Sequence, residues 1–298
     1  MMVIANPRAG RGRGLRNLER LREAIRRRGV DLDVVETHRP GHATEVAREA
    51  AERGDPRIAV LGGDGTISEV VNGLLESETA LGILPMGTGN DVARSLAIPR
   101  DLDRAIDLAV HGQPRAIDVG RERDRAFVSV LGVGFPSIVA AEANSIGWLR
   151  GSPAFFVAVY KALHRLRAIP FRIELDGEVM EMRCVAVLIQ NTPYTGGGLQ
   201  MAPEAVVDDG ILDVVIVEEI GRLDLMVNFP RVYRGGHFAH PSFTAHTARE
   251  VRVESGEELT KMFDGDLCGT TPVEAEVVPG GVNLVLPPPR GVGGRWTV

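Results

Sequence analysis

Two strand–glycine loop–helix units follow one another in this chain and constrain its fold more than any other feature. Ile58-Ala-Val-Leu61 runs into Gly62-Gly63-Asp64-Gly65-Thr66 and a helical stretch; Leu81-Gly-Ile-Leu-Pro85 runs into Met86-Gly87-Thr88-Gly89-Asn90-Asp91 and another. Successive units of this kind belong to a parallel sheet and place their loops along one edge, where open α/β sheets bind ligands. The glycines let the backbone turn and let a ligand come close. Each following helix offers unpaired N–H groups and the positive end of its dipole, which suits phosphate. A plain strand-to-helix turn, capped by Thr66 or Ser68, is the alternative for the first loop. A third edge element, Asn6-Pro7-Arg8-Ala9-Gly10, follows the apolar run Met2–Ala5. Together the three loops describe a nucleotide-sized crevice.

The same alternation spans the first part of the chain. Strands are predicted at Met2–Ala5, Leu32–Val35, Ile58–Leu61 and Leu81–Leu84. Helices are predicted through Leu15, Leu18, Leu21 and Ile25, and over Ala43–Glu52, Ser68–Leu75, Asp91–Leu96 and Leu102–Val110. This is the pattern of a doubly wound α/β domain with a parallel sheet. After the charge cluster Arg121–Arg125 strand follows strand: Ala126–Leu131, Phe171–Leu175, Cys184–Gln190, Ile211–Val217, Glu250–Glu254 and Val282–Leu286. Helices are predicted only at Ala154–Arg167 and Leu223–Tyr233, so the second domain should be largely antiparallel. The expected division is 1–122 and 123–298, in keeping with two domains for 298 residues.

Composition removes several classes. With 44% hydrophobic and 25% charged residues the chain can bury a full core. No apolar run approaches the roughly 20 residues of a bilayer-spanning helix. The start, Met-Met-Val-Ile-Ala-Asn-Pro, lacks the layout of a signal peptide, so a soluble cytoplasmic protein is expected. A net charge of −6 argues against broad nucleic-acid binding. Lys161 and Lys261 are the only lysines, and neither follows a glycine loop as the Walker motif requires. The dinucleotide pattern GxGxxG and the strand lysine of protein kinases are also missing. Phosphate charge must therefore be met by backbone amides, hydroxyls, arginine and a metal ion. Cys184 reads as a small core residue, and with Cys268 it forms no metal-ligand spacing. His237, His240 and His246 are spaced too loosely for zinc and read as loop residues.

Asn6-Pro-Arg-Ala-Gly10, Gly62-Gly-Asp-Gly-Thr66 and Leu84-Pro-Met-Gly-Thr-Gly-Asn-Asp91 resemble the diacylglycerol kinase catalytic-domain family, which includes sphingosine and ceramide kinases and the soluble bacterial lipid kinases. The resemblance continues through Asn191-Thr192, Gly196–Gly198, Ala202-Pro203, Asp208-Asp-Gly210 and Asp264-Gly265, nearly the whole chain. GGDGT is shared with NAD kinases and phosphofructokinases; the GTGND loop and the AP…DDG stretch favour the lipid kinases. The resemblance implies a two-domain fold with nucleotide held in the cleft between the domains. It also implies ATP- and Mg²⁺-dependent phosphoryl transfer to a lipid hydroxyl, with diacylglycerol giving phosphatidic acid as the leading reading. Position by position it places nucleotide against Asn6, Thr37, Gly62, Gly63, Asp64, Gly65, Thr66, Ile67, Ser68 and Glu69, and against Gly87, Thr88, Gly89 and Asn90. Thr37 could equally be a solvated strand end. Asp64 would help hold the Mg²⁺ of ATP or organise its loop, and Asp91 could cap its helix instead of serving the site.

Two acidic turns lie in the second half. Asp208-Asp209-Gly210 is a hard-cation site or an Asp-Gly β-turn. The resemblance implies a structural metal held by Asp209 with Val206 and Ile211. Phe263-Asp264-Gly265-Asp266 is a hairpin turn or the place of the proton acceptor. Family members read Asp-Gly-Glu here, so Asp266 replaces a glutamate one methylene longer; Asp264 is the second candidate. Trp148, Leu149, Arg150, Phe155, Phe156 and Val157 could meet a membrane transiently or pack a core, and Arg20, Arg26, Arg27 and Arg28 could attract headgroups or stay solvated. ATP and a lipid alcohol are the expected partners, with a homodimer as a candidate assembly. The rival functions are a soluble-acceptor kinase like NAD kinase, from GGDGT, and a non-catalytic nucleotide- or lipid-binding regulator, from the Asp266 departure.

Overall fold

The structure is a computed structural model describing residues 1–8, 14–146 and 152–288. Ala9 and Gly10 of the first loop, and Trp148, Leu149 and Arg150, lie outside the described residues. The chain divides into two compact units, Met1–Asp118 with Gly280–Val298, and Val119–Pro279. The single cut expected near residue 122 thus becomes two, because the last described strand returns to the first unit.

In the first unit, strands β1 (Met2–Ala5), β2 (Asp33–Glu36), β3 (Arg57–Gly62) and β4 (Ala80–Pro85) form a parallel sheet in the order β2-β1-β3-β4. The end of β17 (Val273–Leu286) joins β4 in parallel, Asn283 opposite Ala80. β5 (Gln113–Glu122) carries the chain out of this unit. β3 and β4 are buried from Ile58 to Gly62 and from Ala80 to Pro85, as a sheet covered on both faces requires. Val3, Ala5, Ala59 and Leu61 pack against Leu18, Leu21 and Ala24 of helix Gly14–Arg28, and against Ala105, Ile106 and Ala109 of helix Leu102–His111. Leu15, counted on the inner face by spacing, is 64% exposed; Ala24 takes that role. On the same helix, Arg27 is paired with Asp103 at 2.7 Å and Arg28 with Asp103 and Asp107, so part of the arginine cluster is neutralised by the neighbouring helix.

The second unit is antiparallel. Its strands are β6 (Arg125–Phe127), β7 (Val130–Gly134), β8 (Ile169–Leu175), β9 (Glu178–Gln190), β10 (Tyr194–Thr195), β11 (Leu199–Gln200), β12 (Leu212–Glu218), β13 (Phe243–Ala248), β14 (Glu250–Ser255), β15 (Thr260–Phe263), β16 (Asp266–Thr270) and the first part of β17. The long β9 belongs to two layers: its first half pairs β8, followed by β14 and β17, and its second half lies between β7 and β12. Because strand side chains alternate faces, Leu131, Val133, Val187, Ile189, Val214 and Ile216 enter the sandwich core with Phe171, Ile173, Val251 and Val253. Val130, Ala186, Leu188, Val215 and Val217 face the other way, toward helices Phe135–Ser145, Ser152–Ala162 and Arg222–Val232.

Several elements differ from the sequence expectation. The run Ala126–Leu131 is two strands, β6 and β7. Helix Phe135–Ser145 is unforeseen: it starts at a proline in its first turn, a favourable place, but its apolar residues make no clear stripe. β13 and β16 are short and mostly exposed, and β15, though largely buried, has only four residues, so none carries an apolar pattern long enough to stand out.

His237 is the clearest correction. It lies in a 3₁₀ turn, Gly236–Ala239, fully buried; Nε2–H donates to the Met201 carbonyl at 3.1 Å, and the ring packs tilted against Phe238 and edge-to-face with Phe243. Nor is His246 in a loop: it sits on β13 opposite Val214. Burial pushes His237 down to about 4. A histidine whose folded value lies below its unfolded one binds its proton only on unfolding between those pH values, so its contribution is present above about pH 6.5 and is lost as pH falls toward 4. Denaturant titrations should show stability dropping by on the order of 2 kcal/mol across that window. A His237→Gln variant, unable to ionise, should flatten the slope; an unchanged slope would contradict the assignment.

Candidate functional site

The carboxyl ends of β1, β2, β3 and β4 lie in register, and hydrogen bonds carry the ladder beyond them. Asn6 N–H donates to Leu61 O at 3.2 Å, Thr37 N–H to Ala5 O at 2.9 Å, and Met86 N–H to Gly62 O at 2.8 Å. Asn6, Thr37, Gly62 and Met86 therefore begin their loops side by side. The Asn6 amide holds this edge together: Nδ2 donates to Thr66 Oγ1 at 3.1 Å while Oδ1 accepts from Arg8 N–H at 2.9 Å. Thr37 is buried rather than a solvated strand end.

The two glycine loops meet backbone to backbone. A Cβ on Gly87 would lie 2.4 Å from the Gly63 Cα and 2.8 Å from Asn90 Oδ1; a Cβ on Gly63 would lie 2.9 Å from the Gly87 Cα. The two Cα atoms belong to the backbone and cannot swing aside, so both positions require glycine. Gly87 N–H donates to Asn90 Oδ1 at 2.8 Å, and Asn90 itself takes a left-handed conformation, φ 52°. Gly65 meets no such obstacle and is exposed, as is Thr88; Gly89 is half-buried in the second loop. Helix Asp64–Leu74 opens directly after Gly63, and Ile67 N–H closes its first turn on Gly63 O at 3.0 Å. First-turn amides ahead of that bond have no carbonyl within the helix to meet.

Some candidates have structural work. One Asp64 oxygen accepts from Val92 N–H at 3.1 Å, so the first loop caps the helix Asp91–Ser95 that follows the second. Asp91 is buried in that helix's first turn with Arg94 at 3.9 Å. Glu69 Oε2 accepts from Ala43 N–H at 3.3 Å and its carbonyl accepts from Thr44, fixing helix His42–Glu52. The Ile67 side chain is fully buried and Ser68 nearly so. For these residues the sequence locates the strand-to-helix loop without showing which side chains face the core.

In the second unit, Asp264 and Gly265 form a two-residue hairpin turn joining β15 to β16, both with positive φ (49° and 98°), and Phe263 pairs Asp266 across it. Asp264 is not solvated. Its oxygens accept from Val128, Ser129 and Val130 N–H at 2.9, 2.8 and 3.0 Å, so the side chain anchors the turn to the start of β7. Asp266 is exposed and accepts from Arg125 at 3.2 Å, while the Arg125 guanidinium lies 4.9 Å above the Phe263 ring. Arg125 was no sequence candidate, although it stands in the charge cluster at 121–125.

Asp209 Oδ1 accepts from Ile211 N–H at 3.2 Å around Gly210, whose φ is 74°. Nearby Asp213 is pushed up to about 7, first by burial and then by the charges of Asp209 and Glu204. That excess of negative charge suits a cation. No group of three or more His, Cys, Asp or Glu side chains converges among the described residues, so carbonyls such as those of Val206 and Ile211 would have to complete a metal shell. Burial raises the Cys184 thiol to about 12, as befits a core residue.

Residues 1–121 match the family described as diacylglycerol kinase catalytic domain, and residues 129–286 match the YegS C-terminal NAD kinase beta sandwich-like domain. A diacylglycerol kinase of Mycobacterium tuberculosis (strain ATCC 25618 / H37Rv) is 31% identical over 292 residues, covering 96% of this chain and 94% of that protein. One from Bacillus subtilis (strain 168) is 30% identical over 289 residues, covering 96% and 95%. The crystal structure of a diacylglycerol kinase from Bacillus anthracis str. Sterne superposes with a TM-score of 0.72 at 26% identity, covering 96% of each chain. No described helix is long and apolar enough to cross a membrane. With glycine loops, acidic turns and both halves of the sequence in agreement, the chain belongs to the diacylglycerol kinase catalytic-domain family and is a kinase.

Proposed function

We propose that this kinase transfers the γ-phosphoryl group of ATP to the hydroxyl of diacylglycerol, giving phosphatidic acid. It would work from the cytoplasm with transient contact to a bilayer. The observation that carries this reading is the Gly63–Gly87 backbone contact, which merges two loops into one lysine-free cradle. Amides of the first helical turn and the Thr66 and Thr88 hydroxyls would meet the phosphates, and Asn6 fixes Thr66 in place. Oxygen donors suit Mg²⁺, and Asp64 and Asp91 put carboxylates at these loops; when bound, the ion would neutralise charge on the transferring phosphoryl group. Asp209 with the carbonyls of Val206 and Ile211 would hold a second, structural cation.

Proton removal from the acceptor hydroxyl falls to Asp266. Its carboxylate is accessible and oriented by Arg125, whereas both Asp264 oxygens are occupied by backbone amides. Asp264 is therefore a positioning residue that sets where Asp266 stands. Transfer by a base of this kind contributes roughly 10²–10⁴-fold.

Incubation with ATP, Mg²⁺ and mixed micelles of diacylglycerol should yield phosphatidic acid; product from NAD without lipid, or from no acceptor at all, would overturn the reading. Asp266→Asn should lower kcat about 10²-fold or more with stability unchanged. Asp264→Ala should destabilise by about 1–3 kcal/mol, because it leaves buried amides unpaired; a stable Asp264 variant would contradict its anchoring role. Gly87→Ala should weaken ATP binding roughly tenfold or more, since overpacking against backbone cannot relax locally. Calorimetric titration checks this, and unchanged affinity would remove the two-loop cradle.

A further inference from the structure

Large apolar side chains exposed among the described residues are not scattered evenly. Leu15, Val179 and Leu267 stand singly, but Phe156, Tyr160, Leu223, Met226 and Val227 fall on two helices of the second unit that touch. Helix Arg222–Val232 is apolar on two faces. Leu225, Phe229 and Val232 face the core, while Leu223 (75% exposed), Met226, Val227 (66%) and Pro230 recur at three- and four-residue spacing on the outside. An outward apolar stripe at helical period is surface that a monomer in water would not keep without use.

Helix Ser152–Ala162 extends the stripe. The Phe156 ring meets Phe229 edge-on at 5.5 Å and stacks on Tyr233 at 5.5 Å, and one turn later Tyr160 is 70% exposed. Arg222 ties the pair together by donating to the His164 carbonyl at 2.9 Å. Lys161, Arg165, Arg222, Arg231 and Arg234 are all exposed here, against one acid, Asp224, within residues 155–165 and 222–234. A chain of net charge −6 thus gathers a cationic rim around an apolar, aromatic face.

We propose that this two-helix face docks on the surface of an anionic lipid bilayer. Apolar residues would enter the headgroup–acyl boundary with the cations on the phosphates, the pattern of interfacial amphipathic helices. A second copy is the poorer occupant: a two-fold interface would set the same cations against one another. The proposal rests on the lipid-kinase reading for its purpose, not for its geometry. It places the membrane contact on Phe156, Tyr160, Leu223, Met226 and Val227 rather than on the early arginine helix, where Arg27 and Arg28 are already paired.

Flotation of the full chain with phosphatidylcholine vesicles, alone or with about one third phosphatidylglycerol, tests it. The chain should float with the anionic vesicles and release as salt rises. L223S/M226S/V227S should lower the partition coefficient roughly tenfold or more, and R231Q/R234Q should lower it on anionic vesicles only. Y160S/V227S is a second apolar variant should the triple one fail to fold. Unchanged flotation of the folded apolar variants, or a wild-type dimer in light scattering that those variants dissociate, would overturn the proposal. Phosphorylation of a water-soluble short-chain diacylglycerol separates the two readings. Activity without flotation sinks the docking face alone, and flotation without activity on any acceptor sinks the kinase reading alone.

Discussion

The approach of Gly63 to Gly87, closer than any side chain would permit, is the constraint on which the proposed phosphate cradle depends. Parallel strands bring β3 and β4 to one edge in register, Gly62 opposite Pro85. Only then can two loops share a surface with nothing but backbone between them. Asn90 locks the second loop from within, and Asp64 reaches across to cap the second loop's helix. Arrangement, not a lysine, supplies the positive potential: the N-terminal amides and dipole of a helix are fixed in place before any ligand arrives.

A similar economy governs the second unit. Asp264 gives its carboxylate to three consecutive amides and so turns a hairpin of two positive-φ residues into a rigid mount for Asp266. The side chain of Asp266, one methylene shorter than a glutamate, leaves its proposed reach dependent on that mount. Arg125, stacked over Phe263, restrains it from the other side.

In the first unit β1, β3 and β4 are legible because each is a short apolar run closed by glycine or proline, a signal local to a few residues. Glycine loops were legible for the same reason. Partners distant along the chain were not. Asp264 is anchored by residues more than 130 positions away, Glu69 serves the helix beginning at His42, and His237 donates to the carbonyl of Met201, 36 positions back. Nothing in the sequence around His237 separates a solvated loop from a 3₁₀ turn pressed against Phe238 and Phe243. Helix Arg222–Val232 shows a related limit, since apolar spacing identified the helix but could not tell that two of its faces are apolar for different reasons.

The central claim is that a lysine-free pair of loops grips a triphosphate. A crystal structure of the chain with Mg²⁺ and a non-hydrolysable ATP analogue tests this most directly. The phosphate oxygens should lie within hydrogen-bonding distance of first-turn amides after Gly63 and of the loop at Gly87–Asn90. Phosphates bound away from both loops, with Gly63 and Gly87 still in contact, would contradict the account.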